Sequence, residues 1–410
     1  MNFAPPAALL AADQQGPPAV IPSVDPEEVL RFRAALEALS PNTRRAFANA
    51  PPFALARAAA CALFSLCLAA ACTFEVAGPP ARAPSPACID EERVLNVGFY
   101  AFFAPVSYSA VEDPDAEGFH THLGYEADLL TALEALDGAG LSFSRHPIAT
   151  WDDIWLQAAT TQYDIIGGGI TILDARTRDA AGNQVVTFTS GHISFRQSLL
   201  VRAADATRLA AYDDLTSDLR VGALAGTTGE FRLLELTGLV DTEGVLAAGV
   251  RIDTPAGTVT ADGSPDYVIT AAGESPVLAG RQRLHPPSDT MPQVVYLGDQ
   301  AGEPELLDAL EAGTIDAVAR GEIGNRDAAY TRGGAFVVTA LDEKVELGGF
   351  ALASENTELA SCLNRMIHWL TDDGRIDYAN WREDPAEFMQ RAAMWNEGAR
   401  RVPAWRQGKE

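Results

Sequence analysis

The chain has 410 residues, enough for two or three domains, and 47% of them are hydrophobic, so a packed core is expected. Its 56 acidic against 30 basic residues give a formal charge of -26. That balance argues against a nucleic-acid partner, because phosphate binding needs clustered Lys and Arg. It favours solubility without bearing on the fold.

Residues 1–52 form an Ala- and Pro-rich extension, predicted to be poorly ordered apart from one helix over 25–39 that opens with Pro26. Residues 53–72, FALARAAACALFSLCLAAAC, follow Arg44 and Arg45 and make an apolar run of about 20 positions broken by Arg57. Positive flank, apolar middle and small-residue exit describe an export signal. Cys72 at its end leaves three outcomes open: attachment of a lipid to that thiol, simple cleavage, or a retained membrane anchor. Leu68 stands four positions before Cys72, one more than the usual lipoprotein spacing. Residues 73–90 read as a Pro/Ala tether.

Folded sequence is predicted from residue 91. A strand over 94–98 runs into the aromatic loop FYAFFAPVSY, an acidic loop spans 111–120, and GYEADLL opens a helix that runs through Leu136. A strand at 141–143 and a helix over 151–160 lead to Ile165-Ile166, three glycines, Thr171 and Arg176, then a strand over 197–201. Glycines after a strand let the backbone approach a ligand, since no Cβ intervenes. Arg offers a planar fork that fits a carboxylate. The pattern restarts with a strand over 219–223 and Gly226-Thr227-Thr228, where a helix begins. Its unpaired first-turn amides and dipole make an anion site. Residues 246–287 carry β-branched runs between Gly-containing turns and read as an inserted hairpin or small meander. A strand over 293–297, a helix over 303–312, strands over 336–339 and 345–351, and helices over 358–371 and 385–396 complete the chain. Strand and helix alternating at these distances predict an α/β fold with largely parallel sheets.

Cys61, Cys67 and Cys72 fall in or at the end of the signal, which leaves Cys88 and Cys362 in the mature body. In an oxidising compartment two such residues often pair; the alternative is a buried, inert Cys362.

Several of these pieces in order resemble the extracytoplasmic solute-binding proteins of family 3, the amino-acid-type binding proteins of ABC importers, with the type II periplasmic-binding-protein fold. The pieces are the aromatic-Ala-Pro loop, G-Y-E-A-D-L-L, the glycine bend with Thr171 and Arg176, Gly-Thr-Thr, I-D-A-V-A-R-G-E and D-G-R-I-D-Y-A. The resemblance implies two lobes, 91–200 with 346–410 and 201–345, joined by two crossing strands. It implies an amino acid or small carboxylate held by Phe103, Gly169, Thr171 and Arg176 from one lobe and Thr227 and Thr228 from the other. Arg176 and the Thr228 helix would grip one carboxylate from both sides. The family's D-A-V-x-x-D supplies an acid for the ligand's ammonium; here that position is Gly321 and Glu322 follows it. The implied partner is a membrane ABC permease, the implied protein a monomer without cofactor, metal or catalysis. Two other readings stand beside it: a cyclohexadienyl or arogenate dehydratase on the same scaffold, with Glu322 or His192 as general acid, and a ligand-sensing domain.

Overall fold

The chain builds two large β-sheets, of five and eight strands, and passes between them twice. The structure is a computed structural model that describes residues 88, 93–297 and 302–400, all within one compact unit, Pro80–Glu410. The extension, the segment 53–72 expected to be an export signal ending at Cys72, and the tether up to residue 87 lie outside the described residues. Among those described, no helix is long and apolar enough to cross a membrane.

The first sheet begins with β1 (Leu95–Tyr100), whose alternate and consecutive apolar side chains are buried on both faces, as a central parallel strand requires. The aromatic loop after it is itself short β structure: β2 (Phe102–Phe103), β3 (Ser107–Ser109) and β4 (His122–Leu123) make a small antiparallel sheet. Helix α1 (Tyr125–Glu134) buries Leu129, Leu130 and Leu133. Strands β5 (Phe143–Ile148), β6 (Ile165–Gly167) and β7 (Val186–Phe188) complete this part, in the order β5-β1-β6-β18-β7 once β18 (Ala351–Ala353) returns. The helix predicted over 151–160 is a shorter 3₁₀ stretch, Ile154–Ala159, because Asp153 before it takes a left-handed conformation.

Crossing to the second sheet is β8 (Ile193–Arg202), and β9 (Arg220–Gly222) follows. Helix α2 (Thr228–Leu236) starts at Thr227, whose hydroxyl accepts the Glu230 N–H at 3.1 Å and caps the first turn. The inserted segment is not a separate meander. Its strands β10 (Arg251–Thr254), β11 (Gly257–Thr260) and β14 (Arg283–His285) extend the second sheet antiparallel to β15 (Gln293–Val295). Ile252 and Leu284 are fully buried there, which is what anchors the addition. Between them β12 (Ile269–Thr270) and β13 (Gly273–Glu274) form a two-residue-a-side hairpin with Ala271 and Ala272 at its tip.

Helix α3 (Glu303–Glu311), β16 (Ala317–Gly321) and α4 (Glu322–Thr331) precede β17 (Phe336–Gly348), one long strand with register shifts where two short strands were predicted. The sheet order is β11-β10-β14-β15-β9-β16-β8-β17. The two crossings bind each other: the His192 N–H donates to Gly348 and the Thr189 N–H to Phe350. Helix α5 (Thr357–Leu370) buries Leu359, Leu363, Met366 and Ile367 against the first sheet, with α6 (Tyr378–Glu383) and α7 (Glu387–Arg400) behind it. Cys88 and Cys362 are joined by a disulfide, which ties the segment before β1 to α5.

Candidate functional site

Between the lobes lies a small cavity whose walls hold Phe103, Gly169, Thr171, Thr227 and Thr228, five of the seven ligand residues expected from the sequence. The glycine bend is held from behind. Glu126 of α1, fully buried, accepts the Gly168 and Gly169 N–H groups at 2.7 and 2.9 Å and lies 3.0 Å from His192 Nε2. Gly169 has φ +65°, and a Cβ there would lie 2.5 Å from the Phe103 ring, so a side chain is excluded on both counts. These amides therefore serve the fold, and His192, proposed as a general acid, is a buried partner of Glu126 that does not line the cavity.

Thr171, on the first lobe, and Thr228, at the start of α2, bring their hydroxyls to 3.3 Å across the cleft. Two buried side chains of the crossing strands bind them. Glu346 of β17 accepts from Thr171 Oγ1 and from Gln197 Nε2, both at 3.0 Å, and Gln197 Nε2 also donates to Thr228 Oγ1 at 2.9 Å. The carboxylate thus orients the Gln197 amide, and both hold the two threonines together. Thr227 differs: its hydroxyl is engaged as the cap of α2 and donates to Leu224 O at 2.8 Å.

Arg176 stands behind the cavity wall. It does not line the cavity with its fork turned toward a ligand. The 3₁₀ turn Asp174–Thr177 places it, wholly buried, against the Trp151 and Trp155 rings, 4.3 Å from the latter's centroid. Nε donates to Ala271 O at 2.9 Å, Nη1 to Thr171 O at 3.3 Å and Nη2 to Gly226 O at 3.1 Å. Two of these acceptors belong to the second lobe, one of them at the tip of the inserted hairpin. Burial pulls the guanidinium down from its ordinary value to about 9, against the attraction of Glu346 and Asp153.

Glu322 also stands elsewhere. Gly321 ends β16 and Glu322 is the first residue of α4, so the helical turn carries its side chain toward Arg326, 3.1 Å away, rather than into the cavity. At Gly321 itself the nearest atoms to a Cβ would be the Phe195 and Phe103 rings. The acid that does line the cavity is Glu303, at the first turn of α3, which pairs with Arg320 at 2.6 Å. Burial raises its carboxyl from 4.5 to about 7, more than Arg320 lowers it. The native protein then holds a proton that the unfolded chain releases near 4.5, so this group's contribution to stability falls as pH rises from about 4.5 to about 7. Glu303→Gln is expected to remove that fall. Melting curves of both proteins at pH 5 and pH 8 test it, and an equal loss in both would exclude Glu303 as the source.

Reading the sequence missed Tyr100, Trp151, Gln197, Glu303, Arg320 and Glu346. The aromatic loop and the W-D-D-I-W segment carried a signal for the two rings; nothing local marked the other four.

Residues 95–382 match the family model for bacterial extracellular solute-binding proteins, family 3. A curated relative, the "Probable histidine-binding protein" of Neisseria gonorrhoeae, is 28% identical over 184 residues, 45% of this chain and 59% of that protein. The matched part therefore spans less than two thirds of that relative's length. Among solved structures, holo ArgBP from T. maritima aligns over 69% of this chain and 94% of its own at 19% identity, with a TM-score of 0.46. The ancestral amino acid-binding protein AncCDT-1, a precursor of cyclohexadienyl dehydratase, aligns over 74% and 95% at 20% identity and a TM-score of 0.47. By the family model, which covers both sheets and both crossings, the chain belongs to the bacterial extracellular solute-binding proteins of family 3.

Proposed function

We propose that the protein binds an amino acid or similar small carboxylate between its lobes and delivers it to the membrane permease of an ABC importer, without catalysing a reaction. The observation that carries this reading is the meeting of Thr171 and Thr228 across the cleft, at the amide-bearing start of α2. The Thr228 hydroxyl and the first-turn amides of α2 present donors to a carboxylate there, while Thr171, whose hydroxyl donates to Glu346, closes the site from the first lobe. Arg176 adds a positive charge one layer behind Thr171, and Phe103, Tyr100 and Phe195 give the rest of the ligand apolar walls. The curated relative is named for an amino acid, which agrees with this ligand class. Release then requires the lobes to part, a hinge motion in which the two crossing strands bend. Export would be directed by residues 53–72, with Cys72 as the point of lipid attachment or cleavage, and the protein would work as a monomer.

A thermal-shift screen of the exported protein against the amino acids, with prephenate and arogenate in parallel, tests the reading. Ligand at a hundredfold excess over Kd adds about 2.7 kcal/mol to the native state. A shift with an amino acid and no product from the two cyclohexadienyl acids is the expected result. Turnover of either acid, or no shift with any amino acid or with small carboxylates added to the same screen, would overturn it.

A further inference from the structure

We propose that the cleft takes a ligand longer than a free amino acid, a carboxylate whose remote cationic end lies in an outer chamber walled by the inserted segment. This rests on the reading of the inner site given above. The inner cavity measures about 50 Å³, whereas a second one of about 380 Å³ shares its walls at Tyr100, Trp151, Leu224 and Leu306. The Tyr100 and Trp151 side chains line both, so the two cavities adjoin there. The outer volume alone falls in the range of about 300–1,000 Å³ that small-molecule sites occupy.

Its outer wall is the insert, and that wall is fixed. Arg281 is buried, donates to Glu230 at 3.0 and 2.6 Å, pairs with Glu274 and lies 4.8 Å over the Tyr296 ring. Two carboxylates thus surround one guanidinium, leaving an excess negative charge beside the chamber. Asp152, on the facing rim of the first lobe, is exposed and also lines it. A cation in the outer chamber would lie among the Tyr100 and Trp151 rings and two acids, Asp152 and Glu274. A carboxylate end is favoured in the inner cavity, beside Thr228 at the start of α2, so the two adjoining cavities favour opposite charges.

The test uses the exported protein and three probes: arginine, arginylglycine and leucylglycine. Arginylglycine places its carboxylate and its guanidinium farther apart than arginine does, and leucylglycine matches its backbone without the charge. By titration calorimetry arginylglycine is expected to bind tighter than arginine, and tighter than leucylglycine by about tenfold. Ala279→Trp, which fills the outer chamber from an exposed position, is expected to cut the preference for arginylglycine over arginine by about tenfold. Asp152→Asn should reduce the preference over leucylglycine by about fivefold. Arginylglycine binding no tighter than arginine, or preferences untouched in both variants, would overturn the proposal. If arginine, arginylglycine and leucylglycine all fail to bind while another free amino acid does, the inner site stands and the extended ligand falls. If no amino acid binds either, the reading of the inner site fails with it.

Discussion

Arg176→Ala is expected to weaken ligand binding by about a hundredfold through loss of closure. Hydrogen bonds from a charged donor contribute about 1.5–3 kcal/mol each, and two of the three that Arg176 makes reach across the cleft, to Ala271 and Gly226. The burial that lowers its pKa to about 9 opposes this gain, so the lower end, ~3 kcal/mol, is the appropriate figure. Arg176→Met keeps bulk against Trp151 and Trp155 without donors, and should lose nearly as much. Arg176→Lys should recover little, since one ammonium cannot serve three carbonyls and stack on an indole at once. Titration of a carboxylate ligand and of its amide separates two causes. Equal losses for both mark a clamp between lobes, whereas a loss confined to the carboxylate would place the guanidinium on the ligand. Binding within threefold of the parent would exclude both.

Arg281→Ala should give the largest loss of stability in the second lobe. Glu230 is fully buried and accepts from Arg281, the Tyr296 hydroxyl at 2.6 Å and the Gly226 N–H at 2.7 Å. Removing the one cation leaves a buried charge with neutral donors alone, which typically costs ~3–5 kcal/mol. The melting temperature should fall by roughly 10 °C. Adding Glu230→Gln to an Arg281→Met variant should restore at least part of it, because the pair's charge is then gone from both sides. A melting temperature unchanged in Arg281→Ala would mean that Glu230 reaches water when Arg281 leaves.

The fold was legible where local pattern sets it. Apolar strand, glycine bend and capped helix each announce themselves within ten residues, which is why β6, the Gly-Thr-Thr turn and α2 stood where the sequence placed them. Charged residues were the failure, in both directions. Glu126, Glu230, Glu303 and Glu346 look like ordinary surface acids in a chain with 56 of them. Each is buried only because a partner from a distant segment meets it: His192, Arg281, Arg320 and Gln197 respectively. Conversely, Arg176 and Glu322 have the right type at nearly the right place, but one turn of helix beside each redirects the side chain. The insert was read as strands correctly, yet its register against β15 is a long-range fact that no window of sequence contains.

The three hydrogen bonds of Arg176 all end on main-chain oxygens. Carbonyl acceptors do not depend on which amino acid carries them, so a small residue at the buried position 271 should keep the bond as long as the hairpin tip keeps its path. A deletion is another matter: one residue fewer shifts the chain by about 3.3 Å, more than the length of the bond it would have to keep. In descendants of this sequence, the inserted hairpin is therefore constrained in length as well as at buried Ile269 and at Glu274, which pairs with Arg281.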